Sequence, residues 1–376
     1  MGIFRFLLAM WVACVHGGSP LGARLEMHHA YASVQCFFII SGYYMALILN
    51  EKYRGAGSTQ MFYGNRFLRL FPAYWITLLV SVSFCWVAAH WFGESVGAWK
   101  QFAAQGADLS TSAKTTLAVT NVTVLGQVEL LYLRWDAGAH QLAWTQTFLD
   151  SKPELWRFLF VPQAWSLELE VLFYLLAPYL VRRSLKVIGG IIAATFALRL
   201  ALVLAAGLNM DPWTYRFFPT EVGLFLLGSF AYRLGKLPSA QRFLHSPWNG
   251  LCAGAALVLT LVLPFLSTIP PMLNWAYYFL VASAIPWLFQ LSKSWKRDRW
   301  VGELSYPIYI IHFLAIWMAQ VLAKYHLVVG SREWVSAGLT ILFAIVLLHW
   351  VIEPVEKLRR RRAAALTGAR ETVAQA

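Results

Sequence analysis

Arg5 and His16 bracket an apolar run, Phe6 to Val15, near the start of the chain. The eleven steps between them, at about 100° each, come to roughly three full turns, so on a helix both side chains share a face. At about 1.5 Å per residue they stand roughly 16 Å apart along the axis. An ionisable group in an apolar helix costs on the order of 3 kcal/mol, so it faces a partner or a watered cavity. Among these side chains only histidine has an unperturbed pKa near neutrality, so His16 suits a general base. The competing reading has Arg5 snorkelling to the membrane surface while His16 marks the helix end.

Other polar groups interrupt later apolar runs. Ser41-Gly42 follows Phe37-Phe38-Ile39-Ile40. The pair allows close backbone approach, either for helix packing or for a ligand lying along the helix. Arg66 and Arg69 are spaced i, i+3 and share a helix face ahead of Pro72, which predicts a helix start or break. Two guanidiniums suit phosphate, bound as a bidentate fork, or else lipid headgroups. Trp165-Ser166-Leu167-Glu168-Leu169-Glu170 brings two carboxylates to one apolar segment, on different sides. Glu170 reads as the deeper and needs a partner. That partner is either an arginine such as Arg216 or the reacting groups around His16. Arg216 and Glu221 sit near one segment mouth and could pair with each other. Tyr309 and His312 share a face of a late segment, where His312 reads more readily as a hydrogen-bonded structural group than as a proton carrier.

The elements that must position these groups are apolar. Of the 376 residues, 59% are hydrophobic and only 13% charged, against about 25% charged in soluble domains, which excludes an ordinary soluble enzyme. The reading is an all-α, polytopic membrane helical bundle of about ten transmembrane helices, near 3–17, 30–50, 71–92, 165–181, 186–207, 217–235, 249–268, 272–291, 304–324 and 334–352. The net charge of +13 sits in short clusters between apolar runs, which fits the positive-inside rule better than nucleic-acid binding. With the N-terminus inside, cytoplasmic segments carry about twice as many Lys and Arg as outer ones, so both termini read as cytoplasmic. The first run reads as retained rather than as a cleaved signal. Segment 93–164 is a long outer loop, within which 117–133 could be re-entrant or interfacial. Residues 1–357 form one membrane domain, and 358–376 a basic, polar tail expected to fray. Cys14, Cys36, Cys85 and Cys252 read as packed thiols, and no cluster has metal-ligand spacing.

In order along the chain, these motifs resemble the integral-membrane acyltransferase-3 family of bacterial envelope O-acyltransferases. Arg5 and His16 match its Arg, ten residues, His. Phe37, Phe38, Ser41 and Gly42 match its Phe-Phe-x-x-Ser-Gly. Arg66, Arg69, Pro72 and Tyr74 match its Arg-Arg-x-x-Arg-x-x-Pro-x-Tyr, with Asn65 in place of the first Arg. Trp165, Ser166, Leu167, Glu170, Phe173 and Tyr174 match Trp-Ser-Leu-x-x-Glu-x-x-Phe-Tyr. Ser305, Tyr306, Tyr309 and His312 match the late Ser-Tyr-x-x-Tyr-x-x-His, and Glu353-Pro354 the closing motif without its spacer.

The resemblance implies a bacterial inner-membrane enzyme that takes an acyl group, usually acetyl, from cytoplasmic acyl-CoA to a hydroxyl on an extracytoplasmic glycan. Acetyl-CoA is then a donor substrate, and no tightly bound cofactor is expected. His16 and Glu170 are the expected catalytic pair. Arg5, Arg66, Arg69, Ser41 and Gly42 are expected to hold the donor, and Trp165, Arg216 and Tyr309 the acceptor. The protein would act alone or with a separate periplasmic partner. A transporter or flippase with intramembrane charges is the rival class. It would release no free CoA.

Overall fold

The computed structural model describes residues 1–20, 27–55, 57–209, 211–244, 246–262, 271–328 and 330–362. In chain order the helices are α1 (Gly2–Gly17), α2 (Met27–Glu51), α3 (Ser58–Trp91), α4 (Gly97–Gln105) and α5 (Thr111–Thr123). A short antiparallel hairpin follows, β1 (Leu133–Asp136) with β2 (Gln141–Trp144). Then come α6 (Trp165–Leu180), α7 (Leu185–Leu204), α8 (Phe218–Gly235), α9 (Pro238–Leu244), α10 (Trp248–Val262) and α11 (Pro271–Ser292). The chain continues through α12 (Lys296–Glu303), α13 (Ser305–Lys324) and α14 (Arg332–Leu347), and α14 passes through one widened π turn, Leu348–Ile352. Each of the ten apolar runs of the sequence lies wholly or mostly in helix where it is described. Among the described residues, five continuous helical stretches are long and apolar enough to cross a membrane, and α1 and α10 are shorter apolar helices.

Helix α2 is central and packs against α1, α6, α8 and α11. Without a water-driven term between helices in lipid, close packing has to hold them, and small residues permit it. A Cβ on Gly42 would stand 1.7 Å from the Phe225 carbonyl oxygen of α8. A Cβ on Gly228 would stand 1.8 Å from the Ile39 carbonyl oxygen of α2. The two glycines thus bring the backbones together, and the Ser229 hydroxyl donates to the Gly42 carbonyl at 2.9 Å. Helix α3 turns the other way. Phe67, Trp75, Ile76, Leu79, Val80 and Trp86 are exposed along it, a continuous apolar face of the kind lipid covers.

Three sequence expectations change. Pro72 lies inside α3, which runs unbroken for 34 residues from Ser58. Proline lacks the N–H for the Leu68 carbonyl. The neighbouring turn is braced instead by the Tyr306 hydroxyl, which donates to the Leu70 carbonyl at 2.7 Å. The basic segment after Glu356 does not fray at once, since 353–362 is helical. Its Arg359 and Arg360 both reach back to Glu356, an i, i+3 and i, i+4 pattern that supports the helix. Segment 93–164 is folded, with α5 followed by a short 3₁₀ turn at Glu129–Tyr132 and the hairpin. Asn121 is buried, donating to the Leu117 and Phe158 carbonyls and accepting from the Phe160 amide.

Candidate active site

A cavity of about 780 Å³ opens at the end of the bundle where α1 begins and α2 ends. That size accommodates a large organic ligand. Helices α1, α2, α3, α6 and α13 supply its walls, and residues 353–360 part of its rim. Helix α1 reaches this position because its start is tied down from afar. The Asp298 carboxylate accepts from the Gly2 and Ile3 amides at 2.7 and 2.9 Å, satisfying two orphan donors of the first turn.

Arg5, Arg66 and Arg69 all line the cavity, as does Ser41. Arg5 donates to the Ser305 hydroxyl at 2.7 Å. Arg66 is only 7% exposed, and it lies 5.8 and 5.7 Å from the ring centres of Phe62 and Tyr174. Arg69 is exposed, and it too lines the cavity wall. Glu170 faces these cations across the cavity. It accepts from the Ser41 hydroxyl at 2.8 Å and from the Tyr174 hydroxyl. Gly42 does not line the cavity and serves the α2–α8 crossing instead.

The order of the two α6 carboxylates is the reverse of the sequence expectation. Glu168 is the more buried, at 3% exposed, while Glu170 is half-buried on the cavity. Glu168 accepts from the Gly126 and Val128 amides at 2.7 and 2.8 Å, which fastens segment 93–164 to α6. Its signal in the sequence was present, but the two amide partners come from a loop about forty residues away and no spacing announces them.

On α13 the cavity lining stops at Tyr309. The Tyr309 hydroxyl donates to the Gln163 carbonyl at 2.9 Å and accepts from the Ser166 hydroxyl at 2.8 Å. One helical turn further, His312 meets His16, with ring centres 5.2 Å apart, and Phe313 lies 4.9 Å from the His16 ring. Each histidine commits Nδ1–H to a backbone carbonyl, Val12 for His16 at 2.8 Å and Tyr309 for His312 at 2.7 Å. That tautomer leaves both Nε2 lone pairs available to accept a proton. Neither histidine lines the cavity, so Tyr309 stands between it and the pair. Glu170 is hydrogen-bonded to Ser41 and Tyr174, not to His16.

Beyond the histidines lies an aromatic and charged cluster. The Arg216 guanidinium sits 4.5 Å above the Trp165 ring and pairs with Asp211 at 2.9 Å. Tyr31 stacks on Tyr215 at 3.9 Å. Burial pushes the Asp211 carboxyl up, and Arg216 opposes that rise. Arg216 therefore pairs with neither Glu170 nor Glu221. Glu221 instead pairs with Arg199 at 2.7 Å and accepts from Gln35, all deep between helices.

Apolar helices around a charged inner cavity, with two histidines past its far end, define a polytopic membrane protein. Comparison with known families makes the class specific. The sequence profile described as "Acyltransferase domain" matches residues 1–353. The chain belongs to this acyltransferase-3 family and is a membrane acyltransferase. It is also similar to an uncharacterized protein of Aquifex aeolicus (strain VF5), 23% identical over 221 residues, which cover 53% of this chain and 89% of that relative. No solved structure matches.

Proposed function

We propose that the protein transfers an acyl group, acetyl first among candidates, from cytoplasmic acyl-CoA to a hydroxyl of an extracytoplasmic glycan or related envelope acceptor. One observation carries the reading. A cation-lined cavity enters the bundle from one end and stops at Tyr309, one turn short of two histidines with acceptor nitrogens. The donor's phosphates rest on the guanidiniums and its pantetheine arm runs up the cavity beside α1. The thioester then lies near Ser166 and Tyr309. A swing of the Tyr309 side chain brings it to His16. The His16 Nε2 takes the proton of the acceptor hydroxyl as that oxygen attacks the thioester carbonyl. The C–S bond breaks, and the thiolate of CoA leaves and takes up the proton. Such a base contributes about 10²–10⁴ in rate. A two-step route through an acyl-enzyme on His16 or Ser41 uses the same positions. Trp165 and Arg216 offer the aromatic face and cation that hold the acceptor, and Glu170 balances the charge of the donor site.

The test compares ester-linked acetyl on surface glycans from bacteria expressing wild type or His16→Ala at matched membrane levels. Acetyl added by the wild type and lost in His16→Ala supports the reading. Equal acetyl from both removes His16 from the chemistry. A flippase, the rival class, moves a glycan without liberating CoA, so CoA release from acetyl-CoA by purified protein separates the two.

A further inference from the structure

The rim of the cavity carries a group that the reading above leaves unassigned. Residues 353–362 extend the last helix over the opening, and Arg359 and Arg360 line it. Arg359 bonds Glu356 and lies in the field of Arg66 and Arg69. The Nε of Arg66 and the Nε of Arg359 are both buried without a hydrogen-bond partner. Of the acids on the cavity, Glu170 accepts from Ser41 and Tyr174, Glu353 pairs with His349 at 3.0 Å and Glu356 serves both Arg359 and Arg360, while Glu303 is exposed and acts on Arg5. Three guanidiniums from two distant parts of the chain therefore face one space with too little negative charge between them. Clustered cations repel one another, and an anion entering the space relieves that repulsion. Guanidiniums bind phosphate through paired N–H donors, which the two idle Nε–H groups extend. Exposed cations such as Lys357 and Arg360 suit lipid headgroups equally well, but Arg66 is only 7% exposed and lines the cavity.

We infer that Arg359, on the C-terminal helix, is a phosphate-binding residue that closes with Arg66 and Arg69 a three-guanidinium clamp on a polyphosphorylated nucleotide. The inference rests on the proposed function, in which that nucleotide is the head of the acyl-CoA donor. It adds that a residue beyond the last apolar run fixes the donor by its phosphates and not by its acyl arm.

The experiment measures binding of acetyl-CoA and of S-acetylpantetheine, which lacks the nucleotide, to full-length protein in nanodiscs of zwitterionic lipid. Arg359→Ala weakens acetyl-CoA by about ten- to a hundredfold, the loss of one charge-assisted phosphate contact. Arg359→Lys recovers part of the loss, and S-acetylpantetheine binds both variants as it binds wild type. Unchanged acetyl-CoA affinity in Arg359→Ala overturns the clamp, as does an equal loss for both ligands, which marks a structural role. Anionic lipid that stabilises wild type but not Arg359→Ala, with donor binding unaltered, reassigns the residue to a headgroup. Wild type that binds neither thioester removes the donor reading itself, whereas binding indifferent to Arg359 removes only the clamp.

Discussion

Glu168 shows how much one side chain can organise. Its two oxygens each take a backbone amide of segment 93–164, at 2.7 and 2.8 Å, in a site 3% exposed. Removing the carboxylate leaves two buried N–H groups without acceptors, a loss of about 3 kcal/mol. Glu168→Ala is expected to lower thermal stability in detergent and to speed hydrogen exchange at Gly126 and Val128, and unaltered exchange there refutes the clamp. Single residues were also where the sequence was most legible. Arg5, Arg66, Arg69, Ser41 and Glu170 stood out because a polar group in an apolar run is costly, and the fold gathers all five on one cavity. Pairing was not legible. Arg216 and Glu221 are close in sequence, yet each takes another partner, Asp211 and Arg199, because direction around a helix and neighbouring elements decide the contact.

At the scale of elements, the α2–α8 crossing rests on two glycines that face opposite backbones. Gly228→Ala places a methyl within 1.8 Å of the Ile39 carbonyl oxygen, so the helices must part. Overpacking of this kind costs about 1–3 kcal/mol or more. The melting temperature is expected to fall, while Gly254→Ala, which meets nothing within 4 Å, leaves it in place. The Arg199–Glu221 pair joins α7 to α8 in the same region. Arg199→Ala strands a buried carboxylate at a cost of about 3–5 kcal/mol. The double change Arg199→Met with Glu221→Leu recovers most of it, and a double variant as unstable as the single disproves this account. Apolar periodicity located these helices well. It could not show that α3 continues through Pro72, since a proline's effect depends on what braces the turn, here Tyr306 from another helix. Nor could composition reveal the helix at 353–362, which reads as a charged tail until Glu356 is seen holding two arginines.

For the whole molecule, orientation is the property on which function turns. With every native cysteine replaced, Ala139→Cys in the turn between β1 and β2 is expected to react with an impermeant maleimide added outside intact cells. Arg360→Cys is expected to react only after the membrane is opened. The opposite pattern inverts the protein and places the cation-lined cavity away from cytoplasmic acyl-CoA.

The tie between Arg5 and Ser305 has a bearing on how the protein is made. These residues are 300 positions apart, and Asp298 caps the first helix across almost the same interval. A ribosome feeding this chain into the bilayer delivers one wall of the cavity 300 residues before the facing wall. Throughout that interval α1 waits in the lipid with its guanidinium unanswered and its leading amides uncapped. The nascent protein is therefore most fragile at α1, until Asp298 and Ser305 have been made. A slow or stalled synthesis, more than any single weak contact, is the circumstance in which quality control would first find it.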